Sequence, residues 1–226
     1  FVCLGLALLV KEEIGLIAII FGVYIFLFQR NRGLGLALGA FGVAWVILLL
    51  QVLIPFFRGA EYGGTFYYFG QGAIGGGGTR YGYLGRSLPE ILTTLITQPG
   101  VVLGHILIPE KIAYVLHLLV PLMFVPLVGV EIFMLALPTF AYSLLSTYGL
   151  QYEIRSYYFS PLVPFLFFAT VLGVQRLCKW MEHRRSAIHP LALKGSIAVA
   201  LSVAGVGSYL LQGPGPFAQY FQADRY

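Results

Sequence analysis

Apolar residues in this chain come in long unbroken runs, and polar residues collect in the gaps between them. Residues 14–28 (IGLIAIIFGVYIFLF) carry no charge and end at Gln29-Arg30-Asn31-Arg32. A second run covers 33–56 and closes with Ile54-Pro55. Further runs lie at about 112–128, 131–147, 159–177 and 192–211. A helix needs roughly 20 mostly apolar residues to cross about 30 Å of hydrocarbon. The pattern therefore predicts an all-α fold: a polytopic transmembrane helix bundle, one domain over 1–226, with about six full spans. Residues 1–10 (FVCLGLALLV) are too short to span alone and are expected to be the end of a truncated further span. The chain starts at Phe1 inside an apolar run, with no basic leader and no cleavage site, so it is expected to be a piece of a longer protein and not to begin with a signal peptide.

The gap at 57–111 is different in kind. It is rich in Gly and Tyr and only moderately apolar. Within it, 87–98 (SLPEILTTLITQ) has Ser87 as a helix cap, Pro89 early and Glu90 three residues after the cap. Apolar residues at 88, 91, 92, 95 and 96 mark one helical face. This predicts an amphipathic helix lying along the membrane surface.

Charge adds a direction. Charged types make up only 10% of the 226 residues and hydrophobic types 58%, against about 25% charged in ordinary soluble domains. There is too little polar surface for a soluble fold. The net charge of +5 sits mostly between the apolar runs, where Lys and Arg mark cytoplasmic loops. Arg30 and Arg32 mark one such loop, and Arg176, Lys179, Arg184 and Arg185 another. Four crossings separate them, so both fall on the same side. The outer face then holds Lys11-Glu12-Glu13, the 57–111 segment, the 148–158 loop and the C-terminal tail. No basic patch is interleaved with aromatics in the manner of single-strand binding, so no nucleic acid is expected. Cys3 and Cys178 are expected at opposite ends of the membrane, unpaired, and no CxxC metal motif is present.

Two clusters can carry chemistry. Lys11-Glu12-Glu13 puts three charges into an apolar stretch, which is costly in lipid. A carboxylate there can ligate a divalent cation or take a proton from a sugar hydroxyl, and Lys11 can hold a phosphate; the plainer reading is a hydrated hinge. The second cluster is Tyr152-Glu153-Ile154-Arg155-Ser156-Tyr157-Tyr158. The planar fork of Arg155 suits phosphate, while the plainer reading is an interfacial aromatic belt with a charge pair. In the outer segment, Arg58 and Arg80 are further candidates for substrate binding. The run Gly75-Gly76-Gly77-Gly78 lacks the Gly-Lys-Ser/Thr ending of a phosphate loop and reads as a flexible outer loop. His105 and His117 stand alone and read as interfacial or bundle-facing histidines, with only weak support for His117 as a chlorophyll or haem ligand. No metal-ligand set is identified, and a divalent cation is the sole cofactor the residues suggest.

Several phrases together resemble a known family. They are Lys11-Glu12-Glu13, Ile54-Pro55, Leu84-Gly85-Arg86-Ser87-Leu88-Pro89-Glu90-Ile91-Leu92, and Tyr157-Tyr158-Phe159-Ser160-Pro161-Leu162-Val163-Pro164-Phe165-Leu166. They resemble the predicted membrane proteins called domain of unknown function 2079, grouped with the GT-C membrane glycosyltransferases. The resemblance implies sugar transfer from a polyprenyl-phosphate carrier at the outer membrane face, in a cell membrane of bacterial type. By that resemblance Glu12 and Glu13 would be the catalytic carboxylates, positioning acceptor or metal. Lys11 and Arg155 would neutralise the donor phosphate, and Tyr157 and Tyr158 would bind substrate beside them. The acidic first outer loop of such enzymes would lie upstream of Phe1, and Tyr157 stands where the family often has histidine. The alternative, of another class, is a non-catalytic accessory subunit of a larger membrane complex. A transporter fits less well, because Pro121, Pro126 and Pro138 kink the spans without bringing charge to the midplane.

Overall fold

The computed structural model describes residues 14–29, 31–58, 80–85, 88–184 and 190–213. Within these the chain is helical, and no strand occurs among the described residues. It divides into two compact units, Phe1–Lys111 with Leu135–Leu162, and Ile112–Met134 with Val163–Tyr226.

The first unit opens with a helical hairpin. Helix α1 (Ile14–Phe28) and helix α2 (Arg32–Leu48) are the two longest apolar runs of its N-terminal half. Asn31 starts α2: its side-chain carbonyl accepts the backbone N–H of Leu34 at 3.1 Å, meeting one donor that the helix start leaves open. The helices meet through glycines spaced seven apart, two turns on one face. Gly15 and Gly22 of α1 and Gly35 and Gly42 of α2 are buried. A Cβ on Gly22 would lie 2.5 Å from the Gly39 nitrogen and 2.7 Å from the Gly35 carbonyl oxygen. One on Gly35 would meet the Phe26 nitrogen at 2.6 Å. In lipid no hydrophobic force drives two apolar helices together, so close backbone approach through small residues supplies the packing.

After Leu48 the helix widens into a π segment, Leu49–Leu53, with Ile54 N–H bonded to Leu49 O, and narrows again in α3 (Ile54–Arg58). Pro55 has no N–H for the carbonyl of Gln51, and its ring would crowd that carbonyl in a regular helix. The expected 33–56 span is thus continuous but widened just before its proline.

The expected amphipathic helix is α4 (Leu88–Thr97). Ile91 is buried with Leu84 and Val102, and Leu95 packs beside them. Leu92 and Ile96 face outward, 60% and 79% exposed. Gly85, with φ of +147°, turns the chain tightly into this helix, and a Cβ there would strike Glu90. Ser87, the expected cap, lies outside the described residues.

The segment 99–111, expected in the outer loop, instead forms helix α5 (Pro99–Ile106) and the first turn of α6 (Pro109–Leu119). Pro99–Ile106 and Pro109–Leu122 are bent by 65° at their break, the geometry of a broken span or of a re-entrant loop. The single straight span expected at 112–128 is not found. α6 ends at Leu119, and two 3-10 turns follow, Val120–Leu122 and Val125–Val128, separated by Met123 and Phe124 in the left-handed region. Pro121 and Pro126 remove the amide donors that a continuing helix requires.

Helix α7 (Val130–Leu145) follows at once, with Pro138 inside it. The tight link expected at Val128-Gly129-Val130 is present. In the second unit Gly129 lies against the backbone of Ala169, and Gly173 against Val125. Helices α8 (Leu162–Arg184) and α9 (Pro190–Gln212) are the last of the described helices. Cys178 is buried in α8 and free.

Among the described residues, three helices are long and apolar enough to cross a membrane, Arg32–Phe57, Leu162–His183 and Leu191–Gln212, or four with the bent pair. Ile14–Phe28 and Val130–Leu145 are shorter apolar helices of 15 and 16 residues. At 1.5 Å per residue they measure about 22–24 Å. The expected runs other than 112–128 are therefore each carried by a helix, with unequal reach.

The hairpin gives a direct test. Gly22→Ala should separate α1 from α2 and destabilise the protein by about 1–3 kcal/mol, the usual range for overpacking. Gly39→Ala, whose Cβ meets nothing within 4 Å, should be neutral. Thermal unfolding of both variants in the same detergent separates the outcomes.

Candidate functional site

The polar groups of the first unit gather where three chain segments meet: the turn Arg80–Leu84, the end of α5 with the start of α6, and the loop 146–160. The turn is closed by Leu84 N–H to Tyr81 O at 2.9 Å. It is tied to the loop by Thr147, whose N–H and hydroxyl both reach the Arg80 carbonyl, at 2.8 and 3.2 Å. The Tyr81 hydroxyl donates to Tyr142 O at 3.0 Å and accepts from the Gln151 amide at 3.1 Å. These bonds bridge about 60–70 residues of sequence, so the turn and the loop are held as one body.

That body positions Arg80. Its guanidinium carbon sits 4.8 Å from the Tyr148 ring centroid and 5.7 Å from that of Tyr158. One of its nitrogens donates to the Tyr158 hydroxyl at 3.4 Å. Tyr157 stacks on Tyr158 with centroids 4.6 Å apart and planes 22° apart, and Tyr157 is 65% exposed. The loop is drawn tight by the Ser156 hydroxyl, which lies within bonding reach of the carbonyls of Leu150 and Glu153. Arg155, beside it, is exposed. Burial pushes the Tyr158 hydroxyl above its ordinary pKa, the stacked Tyr157 adds to the rise, and Arg80 opposes it.

Deeper in, Lys111 is fully buried. Its ammonium donates to His105 O at 3.1 Å and to Leu144 O at 2.5 Å, and lies 5.1 Å from the Tyr152 ring centroid. Both carbonyls belong to the last turns of helices, α5 and α7, where carbonyls lack helical partners and the dipole is negative. The lysine therefore closes two helix ends at once. Beside it, Tyr83 stacks on His105 with centroids 4.0 Å apart. The Tyr83 hydroxyl, His105 Nε2 and Gln151 Oε1 are buried with no hydrogen-bond partner among the described residues. Burial pushes the Tyr83 hydroxyl up to about 12. Next to Tyr83, a groove of about 470 Å³ opens between Gly82–Gly85 and the Pro89, Glu90, Thr93 and Thr94 side of α4.

Of the site residues expected from the sequence, the structure brings Arg80, Tyr157 and Tyr158 together and puts Arg155 on the same loop. Arg58 ends α3. Lys11, Glu12 and Glu13, and the glycine run 75–78, lie outside the described residues. Among the described residues no group of three or more His, Cys, Asp or Glu side chains comes together as a metal site. The sequence reading did not single out Lys111, Tyr81, Tyr148 or Gln151. Lys111 carried one usable signal, a lone cation at the edge of an apolar run.

A family model described as "Predicted membrane protein (DUF2079)" matches residues 1–206. The chain belongs to this family. Membership and the apolar helices agree that this DUF2079 protein is an integral membrane protein whose surface meets lipid. No curated protein and no solved structure matches it significantly.

Two outcomes test the site's construction. Lys111→Met leaves two buried helix-end carbonyls unpaired and should cost about 2–3 kcal/mol, measured by unfolding in detergent. Tyr83→Phe removes an unpartnered buried hydroxyl and should be neutral or stabilising near pH 7. The Tyr83 pKa is raised on folding, from 10.0 to about 12, because burial disfavours the phenolate, so relative stability is unaffected by this group below pH 10 and falls as pH rises toward 12. The parent should lose more stability than Tyr83→Phe across that window, and equal losses would show that Tyr83 is not the group responsible.

Proposed function

We propose that this DUF2079 chain is part of a GT-C-type membrane glycosyltransferase that transfers sugar from a polyprenyl-phosphate carrier at the outer membrane face. The observation that carries the reading is the Arg80 guanidinium held against Tyr148 and Tyr158 in a fixed loop, within a chain of very low charge. Arginine presents a planar fork of donors that matches phosphate oxygens. Aromatic rings beside it stabilise the cation and fix its direction. Arg155 on the same loop adds a second positive charge, and the exposed Tyr157 face stacked on Tyr158 is a platform for the apolar face of a sugar ring.

In the transfer, the acceptor hydroxyl oxygen bonds to the anomeric carbon while the bond from that carbon to the phosphate oxygen breaks. The electron pair leaves on the polyprenyl phosphate, where Arg80, Arg155 and Lys11 balance the negative charge. The hydroxyl proton passes to a carboxylate, a part that Glu12 or Glu13 can take. A divalent cation, where one binds, would supply further charge at the leaving phosphate.

The test is photo-crosslinking of the full-length protein in nanodiscs with a diazirine-bearing polyprenyl phosphate. One charge-assisted contact to phosphate contributes about 1.5–3 kcal/mol. Arg80→Gln and Arg155→Ala should therefore each cut labelling by roughly 10-fold or more, at unchanged thermal stability. Equal labelling of parent and variants, or none of the parent, would overturn the reading and leave the accessory-subunit alternative in front.

A further inference from the structure

We propose that the second unit carries a site for an anionic phospholipid, with the acyl chain in a groove at Val128, Leu177 and Trp180 and the phosphate on the basic face of α8. The groove measures about 380 Å³ and is lined by Val128, Arg176, Leu177 and Trp180. That is the lower range of small-ligand sites, enough for part of one chain. Apart from Arg176, its lining side chains are apolar.

The polar end is built. Arg176 donates through Nη1 to Val128 O at 3.0 Å and pairs through Nη2 with the Glu131 carboxylate. The guanidinium is thereby fixed at the groove, still 38% exposed. Glu131 offsets its charge, and the net positive charge of this end of the helix comes from Lys179 together with Arg184 and Arg185, which follow it in the sequence and outweigh Glu182. Lys179 and His183 are exposed. Positions 176, 179, 180 and 183 recur at helical spacing and share one face of α8. Glu182, three residues on from Lys179, lies about 60° from it around the axis and offsets part of its charge.

The occupant follows from charge and depth. Trp180 is 55% exposed, and indoles of this kind sit at the headgroup level of a bilayer. The basic residues here were read from the sequence as cytoplasmic, the side whose leaflet carries anionic lipid and attracts basic residues near the surface. An anionic headgroup above an acyl chain matches a cationic face above an apolar groove.

The experiment measures lipid retention by native mass spectrometry on the full chain, purified in mild detergent with phosphatidylglycerol or phosphatidylcholine added. The parent should retain phosphatidylglycerol in preference to phosphatidylcholine. Lys179→Glu with His183→Glu, both at exposed positions, should reduce phosphatidylglycerol retention about fivefold or more. Trp180→Ala should weaken retention of either lipid. Inorganic phosphate should not displace the lipid, since it lacks the chain. Equal retention of both lipids, no effect of the double variant, or displacement by inorganic phosphate would each overturn the proposal.

Discussion

A buried ammonium group organises the first unit. Lys111 has no access to solvent, and a lone charge in such a place is unstable unless its donors are met. They are met by the carbonyls at the ends of α5 and α7 and by the Tyr152 ring. The dependence runs both ways. Those helix ends are carbonyl-rich and stop in the protein interior, where water cannot satisfy them. The lysine fixes where both helices stop, and so where the 146–160 loop begins. Arg80, Tyr148 and Tyr158 inherit their geometry from that point.

The second unit uses the same chemistry. Arg176 donates to Val128 O at the end of a 3-10 turn and pairs with Glu131 in the first turn of α7. There the cation meets a broken helix end, and an acid stands at a helix start where the dipole favours it. Among the described residues, Lys111 and Arg176 both sit where the backbone has been interrupted. In a bilayer every interruption exposes polar groups that nothing else can satisfy. Pro109 and Pro126 stand at two of these interruptions, and the cations make them tolerable.

Much of the helical frame was legible in the sequence, for a simple reason. An uninterrupted apolar run in a weakly charged chain has one stable backbone form in lipid, and Ile14–Phe28 and Val130–Leu145 fall within two residues of their expected bounds. The failure at 112–128 is equally physical. Hydropathy sees Val120-Pro121-Leu122 and Val125-Pro126-Leu127 as apolar, but the missing amide donors decide the backbone, and the left-handed Met123 and Phe124 complete the break. The start of α6 at Pro109 was missed because Glu110 and Lys111 looked like loop, although acid in a first turn favours a helix start.

The site was legible only in part, because its contacts are long-range. Arg80 and the Tyr152–Tyr158 loop stood out separately by charge and by aromatic density. Nothing local links Arg80 to Tyr158 across 78 positions, or Lys111 to Leu144 across 33. What joins them is the requirement that buried donors and acceptors find each other, which acts only after the helices have packed. Position matters more than residue type here. His117 drew notice as a histidine, yet the histidine that meets polar neighbours is His105, stacked on Tyr83 and lending its carbonyl to Lys111. A lone cation at the edge of an apolar run is therefore a better pointer to an organised polar interior than a lone histidine within one, because only the cation must be neutralised for the fold to exist at all.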